Sequence, residues 1–519
     1  MKKRRRTIRI LCFIIVVCVL CGCHRQTISE EGKKEEKTLI FGDTTFNAEN
    51  GIADINPHHS NGGWGCIRYG VGETLFRFTD TMEIVPWLAE SCENIEEKIW
   101  RIVIKDGICF SSGRKLDAEA VKESLEVLVN SHPRAAGDLH IEKIEAEGQI
   151  LTITTDEPVP VLPNYLADPY SCIIDVTADT KEGMVCGTGP YRAVALETDQ
   201  SLTLVKNENY WNGIPKIDTI VVQNISDGDT LTAALQTGEI DVAYGIPYLN
   251  YPLFENNEYT FSGCPTSRVF FAAMNYESPV ISDLAVRKAI AMGIDKEGFV
   301  QALLNGNGDV TQGIYPANFS FGKNTVTTEA YDPEKAKKVL EKAGWKDTNG
   351  DGIREKNGQS LVIRWLTYPS RQELPLLAEA AQATLGEIGI KVEINNTPNH
   401  SSIKKDTSAW DIYASAMVTA PTGDPFYFFS YHCLDSSSQN DGGYHSDRLE
   451  KLAEKMSRTF DVEKRTKLAV KMQQVILNDN AYLFVAHLRM NMISRKNVQG
   501  IQAHPCDYYE ITVDVDISK

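Results

Sequence analysis

Several things are missing from this chain of 519 residues. After residue 20 no apolar run approaches the ~20 residues of a membrane-spanning helix, so no later segment reads as a span. Positive charge is scarce: 53 Lys and Arg stand against 70 Asp and Glu. That balance speaks against nucleic acid and against adhesion to anionic lipid. Neither His-Glu-x-x-His nor Gly-x-Ser-x-Gly occurs, which removes the two compact signatures of a zinc protease and a serine hydrolase. Beyond residue 23 the cysteines are Cys66, Cys92, Cys109, Cys172, Cys186, Cys264, Cys433 and Cys506, and none has zinc-finger spacing. Eight cysteines allow ~105 pairings. An exported chain permits disulfides, but a body of this size does not require them, and several read as buried thiols. There is no internal repeat.

What is present begins at the N-terminus. Lys2, Lys3, Arg4, Arg5, Arg6 and Arg9 form a basic region, and Ile10 to Leu20 is an apolar run of 11 residues. That is the length of a signal-peptide core and too short to cross a bilayer. Leu20-Cys21-Gly22-Cys23 resembles a bacterial lipobox. It implies removal of 1–22 and lipid on the Cys23 sulfur, although Cys21 is an unusual occupant of its position. The plain alternative is an ordinary cleaved signal; both put the protein outside the cytoplasm, in the periplasm if the cell has two membranes. Six basic residues leave with the signal, so the mature chain has 47 against 70 acidic residues, a net of −23. His24 to Lys37 holds one aliphatic residue and reads, with Cys23, as an anchor and solvated tether over 23–37. Extended, 14 residues reach roughly 50 Å.

Beyond the tether, strand and helix patterns mix. Thr38 to Phe41, Trp100 to Ile104 and Leu151 to Thr154 read as strands. Asp117 caps a helix whose apolar face is Val121, Leu125 and Leu128. Asp332-Pro333-Glu334 opens another helix, which Gly344 closes. Leu361–Leu366, a helix over 376–385 and Ile390–Ile394 predict a βαβ unit. The fold class is therefore α/β, with more than one lobe.

Val85-Pro86-Trp87-Leu88-Ala89-Glu90-Ser91, the Phe110-Ser111-Ser112-Gly113 turn, Gly187-Thr188-Gly189-Pro190-Tyr191 and Asn207-Glu208-Asn209-Tyr210-Trp211 follow one another in order. Leu235 to Asp241, Ala285 to Ile290 and Tyr331 to Ala336 continue the series. Over about 38–515 the chain resembles family-5 extracellular solute-binding proteins, the receptors that feed peptide and nickel ABC importers. The resemblance implies a type II, periplasmic-binding-protein-like clamshell of two lobes. Lobe I would be 38–263 with 488–519 and an extra subdomain, and lobe II 264–487, joined by two crossing strands. It also implies a monomer whose partners are a permease and an ATPase, with no catalytic cofactor. Gly187 to Pro190 is a turn without the spacing or lysine of a phosphate loop.

Tyr69 to Leu75, Tyr210 to Gly213 and Ile353 to Gly358 look closer to the nickel-type branch. The implied cargo is nickel bound to a small chelator such as histidine. Asn56-Pro57-His58-His59 is the sharpest chemical feature, because imidazole suits nickel. Adjacent side chains converge only in an irregular loop, which Pro57, Gly62 and Gly63 allow; otherwise the pair is a solvated surface feature. His487 would sit where the family chain returns to the hinge, as a third donor or as a core histidine. Arg134 matches an arginine near the chelate's carboxylates in nickel-type receptors, with a surface salt bridge as its plain reading. Trp64 and His432 complete the substrate-binding set, His432 beside Cys433 as a further donor. The chain departs from those receptors at Leu166-Ala167-Asp168-Pro169, where some carry a second arginine, and at 419–425, which lacks tryptophan.

Two other readings compete. In peptide receptors the aspartate of a comparable Gly-Asp-Pro loop pairs with the ligand's amino terminus, which makes Asp424 a candidate; it equally suits a turn cap. A secreted metal-dependent hydrolase would need a general base that no spacing supplies. Asp347 to Gly352 imitates a calcium loop, but the twelfth position is Gly358, so a polar hairpin between Trp345 and Leu361 is expected.

Overall fold

The computed structural model describes residues 36–48, 52–322 and 326–518. The signal, Cys23 and nearly all of the tether lie outside them. Among the described residues no helix is long and apolar enough to cross a membrane.

The local readings hold where a physical signal was strong. Asp117 accepts the Ala120 amide at 2.9 Å and starts the helix Ala118–Ser131, which buries Val121, Leu125 and Leu128. Asp332 caps Pro333–Lys342 through the Lys335 amide, and Gly344 adopts φ +92° just past its end. Strands Val362–Thr367 and Lys391–Asn396 are parallel and flank the helix Glu373–Gly386. The hairpin strands Glu355–Lys356 and Gln359–Ser360 pair as expected. Asp347, Asp351 and Glu355 draw together there, but the loop's own amides of Gly350, Gly352, Ile353 and Thr348 donate to them.

The frame is a mixed, 11-stranded sheet. One half holds Tyr191–Glu197, Ser201–Lys206, Thr219–Asn224, Thr38–Asp43 and Val242–Tyr244; the other holds Ile412–Val418, Val362–Thr367 and Lys391–Asn396. Between them run two long antiparallel strands, Tyr259–Met274 and Tyr482–Arg495. Met492 to Ser494 pair with the first half through Val242–Tyr244, while Arg268 to Met274 pair with the second through Ile412–Val418. One long strand is thus bonded to the first half and the other to the second, and their mutual ladder joins the two.

Their mutual ladder is interrupted. Tyr259 to Pro265 pair with Arg495 to Arg489, the register shifts, and pairing resumes at Val269 opposite His487. Pro265 has no amide hydrogen to donate, which suits a break in the ladder at this point. The break leaves Thr266, Ser267 and Arg268 outside the ladder with Tyr482–Arg495, while Arg268 stays paired with Val418 on its other side.

A separate four-stranded antiparallel sheet, in the order Ala89–Glu96, Ile99–Ile104, Ile150–Thr155, Ile141–Glu147, carries the helix Ala118–Ser131 on one face. Trp100, Ile102 and Ile104 alternate into its core. A large core spreads from Leu39 and Phe41 through this sheet to Phe428 and Tyr482. A second gathers Phe270, Ile290, Trp365 and Leu377. Each fully buried side chain of this size contributes roughly 1.5–3 kcal/mol.

Candidate functional site

A cavity of about 540 Å³ opens beside the broken ladder. Trp64, Arg134, Tyr244 and residues 505–508 line it, together with Thr266, Arg268, Arg371, Pro421, Tyr427 and Tyr431. Of the residues expected from the sequence, Trp64 and Arg134 stand in this wall.

Trp64 rides on the short helix Gly62–Arg68, which is held close to the chain at Pro169. A Cβ on Gly63 would lie 2.4 Å from the Pro169 carbonyl oxygen, so only glycine allows that approach. The indole meets Tyr508 edge-to-face at 5.9 Å. At the end of the same helix Arg68 is fully engaged, donating to Asp43 and to Thr45. Arg134 donates to Asp138 at 3.1 Å and Asp168 at 3.3 Å and lies over the Tyr170 ring. Burial pushes the Asp168 carboxyl up to about 6 against the opposing pull of Arg134. The position that departs from the nickel-type pattern thus supplies Arg134's counter-charge.

Two other arginines of the lining carry charge with a different setting. Among the described residues, neither Arg268 nor Arg371 has a carboxylate within ion-pair distance. Burial and the neighbouring Arg268 both push the Arg371 pKa below the usual guanidinium value. Two guanidinium forks facing one cavity without a partner are built to meet an anion, and carboxylate fits their planar geometry. Tyr427 and Tyr431 stack on one another at 5.7 Å along the rim. Asp507, in a left-handed turn with φ +60°, contributes one acidic group.

Other expected residues are placed elsewhere. Asp424 is buried, and Arg465 donates to its Oδ2 through Nε at 3.0 Å and Nη2 at 2.6 Å; its Oδ1 caps the Phe426 amide. Its charge is spent inside the protein, so it does not face the cleft as a free partner for an ammonium group. His432 is packed in an aromatic cluster, stacked on Phe428 at 5.0 Å and edge-on to Phe271. Burial lowers its pKa to about 3.

The three histidines do not form one donor set. His59 is exposed and pairs with Asp54 at 3.1 Å, while Asn56 Nδ2 lies 3.3 Å from its other ring nitrogen. His58 turns inward, and burial, with His59 and His132 nearby, lowers it to about 4. The loop does prevent strand-like alternation, yet it sends one ring outward and the other into the body. His487 lies on the crossing strand at the expected place, but it is buried and absent from the cleft wall; burial lowers it to about 3. Among the described residues, the three-donor cluster that satisfies metal-ligand spacing is Asp347, Asp351 and Glu355, not these histidines.

Sequence reasoning passed over Arg268, Arg371, Tyr427, Tyr431 and Asp507. Two signals were there to find. Pro265 inside an apolar strand marks a break, and Arg371 follows the carboxyl end of a parallel strand, where open α/β sheets bind ligands.

Comparison with known proteins agrees with this architecture. The model for bacterial extracellular solute-binding proteins, family 5, middle, matches residues 83–440. The nickel-binding protein NikA of Staphylococcus aureus is 27% identical over 458 residues, covering 87% of this chain and 90% of that protein. A crystal structure of NikA from Staphylococcus aureus in complex with Ni(L-His)2 covers 93% of this chain and all of that one, with a TM-score of 0.72 and 25% identity. The nickel ABC transporter structure from Bacillus halodurans reaches a TM-score of 0.83 at 28% identity, over 93% of this chain and 100% of that one. The oligopeptide-binding protein AppA of Bacillus subtilis is 24% identical over 552 residues, 98% of this chain and 99% of that protein. The mixed sheet with its two long antiparallel strands and the span of the match agree: this chain belongs to the bacterial extracellular solute-binding proteins of family 5.

Proposed function

We propose that this protein captures nickel, carried by a small amino-carboxylate chelator such as histidine, and delivers it to the permease and ATPase of an ABC importer. The observation that carries the reading is the pair Arg268 and Arg371, unpaired in a cleft between the two sheet halves. They would hold the chelator's carboxylates, while Trp64, Tyr427 and Tyr431 would contact its rings. The similarity to NikA and to its Ni(L-His)2 complex supports this cargo. A cleft of about 540 Å³ lies in the lower half of the usual ligand-pocket range, which favours a compact chelate over a long peptide.

In this reading the halves act as lobes, 38–263 with 488–519 and 264–487, closing on the ligand about the two crossing strands. The broken ladder at Pro265 supports a hinge there. Lipid on Cys23 would keep a monomeric receptor at the membrane surface and raise its effective concentration near the permease. Binding of this kind involves no catalysis.

A short peptide is the second reading, favoured by Asp507, whose carboxylate could receive an amino terminus, and by the likeness to AppA. Calorimetric titration with nickel, nickel plus histidine, and di- to pentapeptides separates them. Heat from the nickel–histidine mixture supports the proposal; peptide binding with no response to either nickel form overturns it.

A further inference from the structure

A second pair of groups adjoins the arginines of the cleft. The Sγ of Cys506 lies 3.0 Å from Nδ1 of His504, and both residues are buried. Cys506 lines the cleft together with Arg268 and Arg371. His504 lines a smaller adjoining cavity of about 230 Å³. The connecting chain is irregular: His504-Pro505-Cys506 precedes a turn in which Asp507 and Tyr509 both take positive φ. Such backbone is uncommon for tyrosine.

We propose that Cys506 Sγ and His504 Nδ1 form a two-donor corner for a soft divalent cation in the cleft wall, so that the protein itself ligates the metal of the chelate. The assignment rests on the nickel–chelate reading above. Thiolate and imidazole are both suited to nickel, and tetragonal sites with cis donors are common for it. With metal–nitrogen and metal–sulfur lengths of roughly 2.1 and 2.3 Å, two cis donors stand about 3.1 Å apart. The observed separation is that of a metal corner before the ion arrives, and it is also that of a thiol–imidazole hydrogen bond. On binding, the S–H proton leaves to solvent and a sulfur–metal bond takes its place, with no change of oxidation state. The chelator fills the remaining positions while its carboxylates reach Arg268 and Arg371.

Cys264 supplies the competing chemistry. Cys264 and Cys506 are both free thiols, so an oxidant that joined them would remove the donor.

The test uses the full mature chain, reduced and kept free of oxygen, titrated with nickel plus histidine. X-ray absorption at the nickel edge and the near-ultraviolet sulfur-to-nickel charge-transfer band are the readouts. The expected result is one sulfur at about 2.3 Å, lost in Cys506→Ser with a tenfold or greater fall in affinity and kept in Cys264→Ser. Nickel–histidine binding with an all nitrogen and oxygen shell in the unaltered protein overturns the corner and leaves the receptor reading standing. Absence of any nickel binding overturns both. Thiol counting that finds Cys264 and Cys506 joined in the protein as isolated also overturns the corner.

Discussion

Arg134 shares its guanidinium between Asp138 at 3.1 Å and the buried Asp168 at 3.3 Å. The arginine that the sequence marks for a ligand carboxylate is therefore already half-occupied by the protein. Replacing Asp168 with Asn removes one competitor for the same fork. We expect Asp168→Asn to tighten binding of nickel–histidine several-fold, and Arg134→Ala to weaken it less than loss of either Arg268 or Arg371. Paired calorimetric titrations check the order.

Among the described residues, Arg268 and Arg371 have no such partner. A hydrogen bond between a charged fork and a carboxylate contributes about 1.5–3 kcal/mol, which is roughly 10- to 100-fold in affinity. Arg371→Ala is expected to lose that much, and Arg371→Lys to recover only part, because ammonium cannot bind a carboxylate through two parallel bonds. In unfolding curves Arg371→Ala should stay at or above the parent's stability, since it removes an uncompensated charge, whereas Arg371→Lys keeps the charge and should match the parent.

Asp424 behaves in the opposite way. Asp424→Asn leaves Arg465 buried without its carboxylate, which costs about 3–5 kcal/mol of stability. Ligand affinity of the surviving folded protein should be nearly unchanged. A large loss of affinity with unchanged stability would return Asp424 to the peptide reading.

His487 links burial to pH. The folded imidazole titrates at about 3 because burial disfavours its charged form, whereas an exposed imidazole titrates at about 6.5. Between these values the unfolded chain binds the proton and the folded one does not, so stability rises with pH. The contribution is complete above about 6.5 and is lost as pH falls toward 3. Urea unfolding at a series of pH values should show that slope, and His487→Gln should reduce it.

The elements were legible where short-range physics sets them. Asp117, Asp332 and Gly344 act through capping bonds within a few residues, and Trp100 to Ile104 alternates because one face is buried. The resemblance also put His487 on the crossing strand correctly. What a linear reading could not supply is direction. His58 and His59 are neighbours whose rings diverge, Asp424 and Arg465 meet only after the chain folds, and Arg268 and Arg371 come to one cavity from separate segments of the chain. Arg134 was singled out by the resemblance; the unpaired arginines were not, since a missing counter-charge exists only in three dimensions.

The central claim is that the uncompensated arginines of the cleft hold an anionic nickel chelate. Its most direct test is calorimetric titration of nickel plus histidine into the mature protein and into the Arg268→Ala/Arg371→Ala double variant. The account predicts one-to-one binding to the parent and at least a 100-fold weaker response in the variant, at equal thermal stability. Equal affinity in the two proteins, or heat from peptides alone, would contradict it.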